Sequence, residues 1–371
     1  MTTFDVCVRG TGIVGRSLAL ALSRQGLNVA LQSLAGVAGD GGREDVRAYA
    51  LNAASIALLT RLRIWDALPA DARTPVYDMH VEGDVAGSAL DFSAWQQHVR
   101  ELAWIVDAAA LEAELGHAVR FAAHVTLTSE PVPATLLALA EGRDSSSREA
   151  VGVAFDRRDY GQMGVAARLV ASQPHRGVAR QWFRSPDVLA LLPFDRPQPA
   201  HSYALVWSLP RSRAQEALAW DEAAFESALM QATAEAAGTL KLASARQAWP
   251  LALARAQRVA GPGWVLLGDA AHIVHPLAGQ GLNLGLGDVA ALADVIAARE
   301  AWRGLGDERL LRRYERERAL PVLAMSTVTD GLLHLFASPL PLARELRNRG
   351  LTLVNHATPL KRWLTGRALE S

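Results

Sequence analysis

The sequence predicts an α/β fold in which a doubly wound sheet holds an inserted antiparallel sheet, and a helical region ends the chain. Residues 4–8 form an apolar run, followed by glycines, an Ala- and Leu-rich stretch over 16–25 and a second apolar run over 27–31. This β-turn-α-β order is the opening of a doubly wound sheet. Between 177 and 209, three strand-like runs are separated by Pro-rich turns, which indicates an antiparallel sheet. From Leu310 onward the pattern is helical, and we expect helix breaks at its prolines, Pro321, Pro339, Pro341 and Pro359.

The other elements follow from the spacing of the apolar residues. Helical spacing has a period near 3.6, and a half-buried strand alternates with a period of two. The predicted elements are helices over 50–68, 107–115 and 221–237, a hairpin over 76–92, and strands over 119–127 and 264–267.

Composition excludes several classes of protein. The chain has 371 residues with 38 basic and 38 acidic side chains, so it lacks the basic field that nucleic-acid binding requires. A single cysteine, Cys7, excludes a disulfide framework and a multi-cysteine metal site. Cys7 lies in an apolar run, which predicts a small buried side chain. Without a recognisable signal peptide or an apolar run of membrane-spanning length, we expect a cytoplasmic protein and no metal.

A glycine motif follows the first predicted strand. Gly10, Gly12 and Gly15, with Ile13 and Val14 between the last two, match G-x-G-x-x-G at the start of a helix. The glycines permit a tight turn and a close approach of the backbone to a pyrophosphate, and the helix N-terminus offers free N–H groups. This context favours a Rossmann-like dinucleotide site over a simple glycine turn.

Two residues near this motif depart from the usual pattern. Gln32 ends the second strand, where an acidic residue normally binds the ribose hydroxyls, and a neutral amide forms weaker hydrogen bonds than a carboxylate. Arg9 ends the first strand, which is usually apolar. Both departures predict a weaker grip on the adenosine half of the cofactor.

A second motif follows the predicted buried strand at 264–267. Gly268-Asp269 places a carboxylate at a strand end, where it can accept hydrogen bonds from a polyol such as ribityl. Gly279 and Gly281 let backbone N–H groups approach a ring closely, at the start of a helix from about Leu282. Such donors stabilise negative charge on a reduced flavin.

These motifs resemble those of the class A flavin monooxygenases, which share the p-hydroxybenzoate hydroxylase fold. Residues 268–283 resemble their GD motif, and residues 141–148 resemble their D-G-x-x-S-x-x-R motif with Glu141 in place of Asp. Asp45-Val46-Arg47 followed by Ala50-Leu51, together with Ile105-Val106-Asp107, is most similar to the ubiquinone-biosynthesis hydroxylases. The similarity covers nearly the whole chain.

The resemblance implies a Rossmann-like FAD-binding domain, an inserted antiparallel-sheet substrate domain and a C-terminal helical region. The implied boundaries are 1–75, 102–155 and 256–300 for the FAD-binding domain, 76–101 and 156–255 for the substrate domain, and 301–371 for the helical region. A β-meander between Asp107 and Glu141 is expected to be trimmed, because the chain is short there.

The resemblance also implies roles for individual residues. Arg47 would reach the cofactor near its pyrophosphate, Asp269 would hold the ribityl or pyrophosphate, and Glu141 belongs to a motif that serves both FAD and the nicotinamide donor. The implied cofactor-binding set is Gly10, Gly12, Ile13, Val14, Gly15, Gln32, Arg47, Glu141, Gly268, Asp269, Ala278, Gly279, Gln280, Gly281, Leu282 and Asn283.

The implied chemistry is hydroxylation of an electron-rich aromatic ring. NAD(P)H reduces FAD, the reduced flavin takes up O₂, and the C4a-hydroperoxide transfers oxygen, so the cofactor carries the redox chemistry. No catalytic proton-transfer residue is predicted. His272 and His275 are interpreted as loop histidines bonded to the backbone, and Pro276 is expected to pack over the flavin face.

The C-terminal segment is basic beyond Arg344, with an apolar stretch over 320–342 before it. Such a helix can lie on an anionic membrane, although an ordinary packing helix with a solvated face has the same pattern. The leading hypothesis is therefore a hydroxylase of a polyprenyl phenol, with a membrane surface or a biosynthetic complex as partner. The alternatives are a hydroxylase of a soluble aromatic compound and a degenerate, non-catalytic subunit.

Overall fold

The computed structural model describes residues 4–33, 45–83, 88–274 and 280–337. Several predicted features lie outside these ranges. They are Ala278 and Gly279 of the cofactor set, His275, Pro276, the prolines 339, 341 and 359, and the basic segment beyond Arg344.

The described ranges contain strands that form three sheets, with helices packed on them. The strands are β1 (Phe4–Arg9), β2 (Val29–Gln32), β3 (Ala48–Leu51), β4 (Arg73–Val76), β5 (Asp78–Glu82), β6 (Ala89–Ser93), β7 (Ala103–Asp107), β8 (Val125–Thr128), β9 (Ala134–Leu139), β10 (Phe155–Ala171), β11 (Val178–Arg184), β12 (Asp187–Phe194), β13 (Ser202–Pro210), β14 (Leu240–Leu242), β15 (Gln247–Ala256), β16 (Ala260–Gly261), β17 (Trp264–Leu266) and β18 (His272–Ile273). The α-helices are α1 (Ile13–Ser23), α2 (Ala53–Arg61), α3 (Ala94–Gln97), α4 (Ala108–Arg120), α5 (Ser146–Ala150), α6 (Arg211–Ala219), α7 (Glu222–Thr233), α8 (Gln280–Ala297) and α9 (Glu308–Ala337).

The first sheet has the order β16-β17-β9-β1-β2-β8 and is parallel from β17 to β8. The predicted β-turn-α-β opening is confirmed, with β1 in the middle of the sheet. The strand expected over 119–127 is wrong in its first half, because Val119 lies in α4 and packs into the core there. Only residues 129–133 connect β8 to β9, and the trimming of a β-meander between Asp107 and Glu141 stays a prediction.

The second sheet is nine-stranded and runs β18-β15-β10-β13-β12-β11-β5-β6, with β14 paired to β10. It contains the predicted antiparallel strands and the predicted hairpin, whose strands are β5 and β6. Side chains on one face of β10, β11, β12 and β13 pack against α6 and α7 around Trp182, Trp207 and Phe225. The opposite face of this sheet is directed away from these two helices.

The third sheet has the order β3-β7-β4, and its side chains join the core of the first sheet on one face and pack against the second sheet on the other. The helix predicted over 50–68 is wrong at both ends, because residues 48–51 pair with β7 and residues 65–67 form a 3₁₀ turn. Asn52 explains the boundary. Its side chain accepts a hydrogen bond from the backbone N–H of Ser55 and caps α2, so the helix begins only at Ala53.

Helix α9 continues through Pro321, so the predicted break at this residue is wrong. A proline removes one helical hydrogen bond, but packing of residues on both sides of it holds the helix in place. Tyr314 and Val322 are buried, and Tyr314 Oη donates to the carbonyl of Leu266 at 2.8 Å. Within the described ranges, no helix combines the length and apolar character needed to cross a bilayer.

Candidate functional site

The N-terminus of α1 is built for close approach of a ligand. A Cβ on Gly15 would lie 1.9 Å from the carbonyl oxygen of Gly10, so the turn and the helix can meet only if residue 15 is glycine. Gly10 has φ +109°, a left-handed conformation that favours glycine. Gly12 is different, since a Cβ there would meet nothing within 4 Å and no side chain caps the helix. The first turn of α1 therefore has no side-chain cap and has open space beside Gly12, as an anion-binding turn requires.

A pocket of about 430 Å³ lies beside this turn, with the start of α1, the end of α4 and the ends of β2 and β8 as its walls. Ser33, Arg16 and Arg120 line it. Arg16 Nη1 donates to the carbonyl of Glu112 at 2.7 Å. Burial, and to a smaller extent Arg120, lowers the pKa of Arg16, while Glu112 opposes the shift. Two guanidinium groups at the positive end of a helix make this pocket suited to an anionic ligand.

Gln32 is absent from the residues that line this pocket. Its side chain is buried at the end of β2, and its Oε1 accepts a hydrogen bond from the Cys7 thiol, with Sγ and Oε1 3.7 Å apart. Cys7 itself is buried, as predicted, and burial raises its pKa. A ribose contact from Gln32 therefore remains a prediction, while the neighbouring Ser33 lines the pocket together with Thr11, Thr128 and Ser129.

Arg9 and Glu141, the two unusual residues near the first strand, belong to one hydrogen-bonded group. Arg9 Nη1 donates to Ser147 Oγ at 2.9 Å, and Ser147 Oγ donates to Glu141. Glu141 also accepts from Ser145 Oγ at 2.7 Å and from the backbone N–H of Ser147 at 3.0 Å. The carboxylate of Glu141 thus fixes the start of α5, and Arg9 ties β1 to the same turn.

The turn at Gly268-Asp269 packs directly on the start of α1. Gly268 has φ +59°, and a Cβ on it would lie 3.3 Å from the Val14 side chain. A Cβ on Gly285 would lie 2.8 Å from the same side chain. Val14 therefore fills the space between two glycines, and the first and second cofactor motifs are brought together.

Asp269 follows Gly268 in the turn after β17. Its side chain is exposed to solvent, yet dense surrounding protein raises its pKa above the ordinary value by desolvation, against the opposing charges of His272, Arg143 and Arg47. Burial raises the pKa of the nearby Tyr49 to about 12. A carboxylate that is open to solvent but walled by protein and arginines is placed to accept hydrogen bonds from a polyol.

Arg47 lies close enough to Asp269 for its charge to act on that carboxyl group. Its guanidinium pairs with Asp45 at 2.6 Å, and this pairing raises its pKa. The guanidinium carbon lies 5.9 Å from the ring centre of Tyr49 and 6.0 Å from that of Trp249. Arg47 therefore stands between the Gly268-Asp269 turn and the nine-stranded sheet.

The start of α8 completes the site, with Gln280, Gly281, Leu282 and Asn283 in its first turn. The Asn283 amide is fully used within the protein. Its Nδ2 donates to the Ala50 carbonyl at 2.8 Å and to Gln280 Oε1 at 3.1 Å. Any contact of Asn283 with a cofactor would therefore be made by its backbone.

His272 corrects a prediction. It was expected to be a loop histidine bonded to the backbone, but it lies in β18 and its Nε2 is 2.7 Å from Oδ2 of the buried Asp288. Arg318 Nε donates to the other oxygen of Asp288 at 2.7 Å. The contact between His272 and Asp288 was hard to predict from the sequence, because a single aspartate within a helix usually lies on a solvated face.

A partly open row of side chains crosses the nine-stranded sheet on the face away from α6 and α7. Register places five residues side by side in this row, which we call the acceptor row: Gln181, Ala190, Val206, Ala166 and Gln247. Four of the five are half-buried. The acceptor row has small apolar side chains at its centre, an amide at each end and no charge.

The acceptor row lies next to the cofactor motifs. On one side, Ala48 and Ala50 of β3 pack with Leu192 and Ala179 on the same face of the sheet. Asn283 bonds to Ala50, which brings the start of α8 to that side. On the other side, the next residue on this face of β15 is Trp249, beside Arg47.

The residues present fit FAD. The uncapped start of α1 and the open space at Gly12 suit a pyrophosphate, and Asp269 suits the ribityl chain. The described residues contain no cluster of His, Cys, Asp and Glu that could hold a metal ion.

Comparisons with known proteins agree on one family. The sequence model of the FAD binding domain matches residues 106–328. Ubiquinone hydroxylase UbiL of Rhodospirillum rubrum is 30% identical over 96% of this chain and 87% of its own length. The 3-demethoxyubiquinol 3-hydroxylase of Escherichia coli is 29% identical over 96% of both chains.

Solved structures share the fold. PqsL of Pseudomonas aeruginosa in complex with 2-aminobenzoylacetate has a TM-score of 0.78 at 22% identity, over 95% of this chain and 100% of that chain. The p-nitrophenol 4-monooxygenase PnpA of Pseudomonas putida has a TM-score of 0.76 at 18% identity, over 98% of this chain and 97% of that chain. At these identities the likeness supports the fold.

Proposed function

Because this chain belongs to the FAD-dependent aromatic monooxygenases, in the family of ubiquinone-biosynthesis hydroxylases, we propose that it hydroxylates the ring of a polyprenyl phenol with NAD(P)H and O₂. The observation that carries the choice of substrate is the uncharged acceptor row. A soluble aromatic acid needs a cation to bind its carboxylate, whereas a neutral phenol with an apolar tail needs apolar surface and a few hydrogen-bonding groups. The acceptor row offers the second combination, and the two cations beside it, Arg47 and Arg168, are already paired with Asp45 and Asp107.

The proposal assigns the cofactor to the residues of the site. Backbone N–H groups at Gly12, Ile13 and Val14 would bind the pyrophosphate, and Asp269 would accept hydrogen bonds from the ribityl hydroxyls. FAD, when bound, supplies the redox chemistry, taking two electrons from NAD(P)H and delivering one atom of O₂ to the ring.

The protein's own part is to bind, orient and exclude water. The backbone of residues 278–283 would border the pyrimidine edge of the ring system, and Arg47 would lie near the pyrophosphate. The acceptor row would hold the phenol beside the bound flavin. A site of this kind that excludes water protects the oxygen-transfer step from side reactions with solvent.

In this proposal the chain divides into an FAD-binding domain (1–75, 102–155 and 256–300), a substrate domain (76–101 and 156–255) and a C-terminal region (301–371).

A polyprenyl substrate partitions into lipid, so the enzyme would meet it at a membrane surface or within a biosynthetic complex.

Mass spectrometry of quinone intermediates in a strain that lacks this chain tests the proposal. We expect loss of the mature quinone and accumulation of a precursor that lacks one ring hydroxyl, with restoration by the intact gene. Normal quinone levels together with accumulation of a soluble aromatic compound would instead support a hydroxylase of soluble substrates. Restoration by a variant that cannot bind FAD would indicate a non-catalytic subunit.

A further inference from the structure

A buried carboxylate joins four parts of the chain beneath the Gly268-Asp269 turn. Asp288 is 1% exposed and lies in the third turn of α8. One of its oxygens accepts from the backbone N–H of Gly268 at 2.9 Å and contacts His272 Nε2 at 2.7 Å. The other accepts from Arg318 Nε at 2.7 Å. This one side chain therefore connects the turn after β17 with β18, α8 and α9.

The surroundings keep Asp288 ionised. Burial alone would raise its pKa, but His272, Arg318 and the N–H of Gly268 together lower it below the ordinary value. An unpaired buried carboxylate is costly, and a fully bonded one holds its partners in a defined geometry.

Arg318 contacts helix α8 at a second place besides Asp288. Arg318 Nη2 also donates to the carbonyl of Leu284 at 3.1 Å, in the first turns of α8. A Cβ on Gly287 would lie 2.8 Å from Nη2, so the guanidinium occupies the space that a side chain would fill. Arg318 thus grips α8 at two points, at Leu284 and at Asp288.

Asp288 is connected to both segments of the flavin site, the Gly268-Asp269 turn and the start of α8. Gly268 directly precedes Asp269, and its N–H bond to Asp288 fixes the backbone there. The helix that carries Asp288 begins at Gln280, on the other side of the site. A change at Asp288 would therefore alter the distance between Asp269 and residues 280–283.

We propose that Asp288 is a positioning residue for FAD, which sets the Gly268-Asp269 turn relative to the start of α8 and is itself held by His272 and Arg318. The role rests on FAD binding, which the family establishes, and is independent of the proposed substrate. It predicts that loss of the carboxylate loosens and reorients bound FAD beyond any general loss of stability.

The test compares Asp288→Asn with Glu226→Gln. Glu226 is a matched control, because it is also a buried carboxylate that binds a cation, Lys241 at 2.6 Å, and a backbone N–H, that of Leu242 at 2.9 Å. It lies on α7, in the other core of the protein. Both proteins are purified, stripped of FAD and titrated with FAD, and their melting temperature and visible circular dichroism are recorded.

We expect Asp288→Asn to raise the dissociation constant of FAD by about tenfold or more and to change the visible circular dichroism of the bound flavin. Glu226→Gln should lower the melting temperature and leave both flavin readouts unchanged. The proposal is overturned if Asp288→Asn lowers only the melting temperature, as the control does.

A second pair keeps the test decisive if Asp288→Asn does not fold. Arg318→Lys retains the charge but loses the fork that reaches both Asp288 and Leu284, whereas Arg318→Ala removes both. We expect FAD affinity to fall in the order wild type, Arg318→Lys, Arg318→Ala. Equal affinity and equal flavin circular dichroism in all three proteins would contradict the role. Neither measurement uses an aromatic substrate, so failure here would leave the proposed function untouched.

Discussion

The side-chain oxygen of Asn283 accepts a hydrogen bond from the backbone N–H of Asn52, with the two atoms 3.1 Å apart. The same oxygen accepts from Ser55 Oγ at 2.8 Å. Since Asn52 caps α2 and Asn283 lies at the start of α8, this contact joins the second cofactor motif to the sheet that packs beside the acceptor row.

Replacing Asn283 should therefore affect both stability and cofactor binding. Asn283→Ala removes the hydrogen bonds to the Asn52 N–H and the Ala50 carbonyl, so we expect the melting temperature to fall by about 5 °C. FAD should also bind more weakly. Ser55→Ala, which removes one donor to Asn283, serves as the control and should give a smaller fall. An Asn283→Ala protein with unchanged FAD affinity would show that this contact does not shape the site.

Gly12 offers a test of the pyrophosphate site that does not disturb the fold. Because a Cβ at Gly12 meets no protein atom, Gly12→Ala should leave the melting temperature of the FAD-free protein nearly unchanged. The methyl group would occupy space meant for the ligand, and FAD should bind about tenfold more weakly. Gly304→Ala also enters open space, so it is the matched control and should leave FAD affinity unchanged. Tight FAD binding by Gly12→Ala would place the pyrophosphate elsewhere.

Arg16 tests the cationic pocket at the adenosine end. Arg16→Gln should weaken binding of FAD and of ADP by about tenfold and reduce the dependence of both on salt, because a charge that faces the phosphates is lost. Arg24 lies at the other end of α1 and donates to the carbonyls of Arg61 and Leu62. Arg24→Gln is the matched control, and titration calorimetry measures both variants. Equal losses in the two proteins would argue against a specific role for Arg16.

The acceptor row tests where the aromatic substrate binds. Ala190→Leu adds bulk to the centre of this row and should raise KM for the phenol by about tenfold while FAD affinity stays the same. Ala223→Leu on the exposed side of α7 is the control. Steady-state kinetics over a range of substrate concentrations separates KM from kcat. An unchanged KM in Ala190→Leu would remove this row from the substrate site.

The sequence predicted the motifs better than the long-range pairings. The glycine turn at Gly10 and the Gly268-Asp269 turn lie where their local patterns require, because each depends on backbone conformation within a few residues. Strand β10 was not predicted. Its first half is polar and exposed, and its pairing with β13 and β15 comes from distant segments.

The same distinction separates the predicted and missed parts of the site. Asp269 follows a strand and a glycine, which is a local signal. Asp288 and Arg318 are 30 residues apart on two helices, so only the packing of these helices reveals the hydrogen bond between them. The contact of Asp288 with His272 is likewise visible only in the structure. Pro321 is the opposite case, since a strong local breaker was overcome by tertiary contacts of α9.

Transfer of oxygen from O₂ to a phenol is the central claim, and a labelling experiment tests it most directly. The purified protein with FAD and NAD(P)H is given a prenylated phenol under ¹⁸O₂, and the product is analysed by mass spectrometry. We predict a product with one added hydroxyl whose oxygen carries the label. An unmodified phenol, or a hydroxylated product whose oxygen comes from water, would contradict the account.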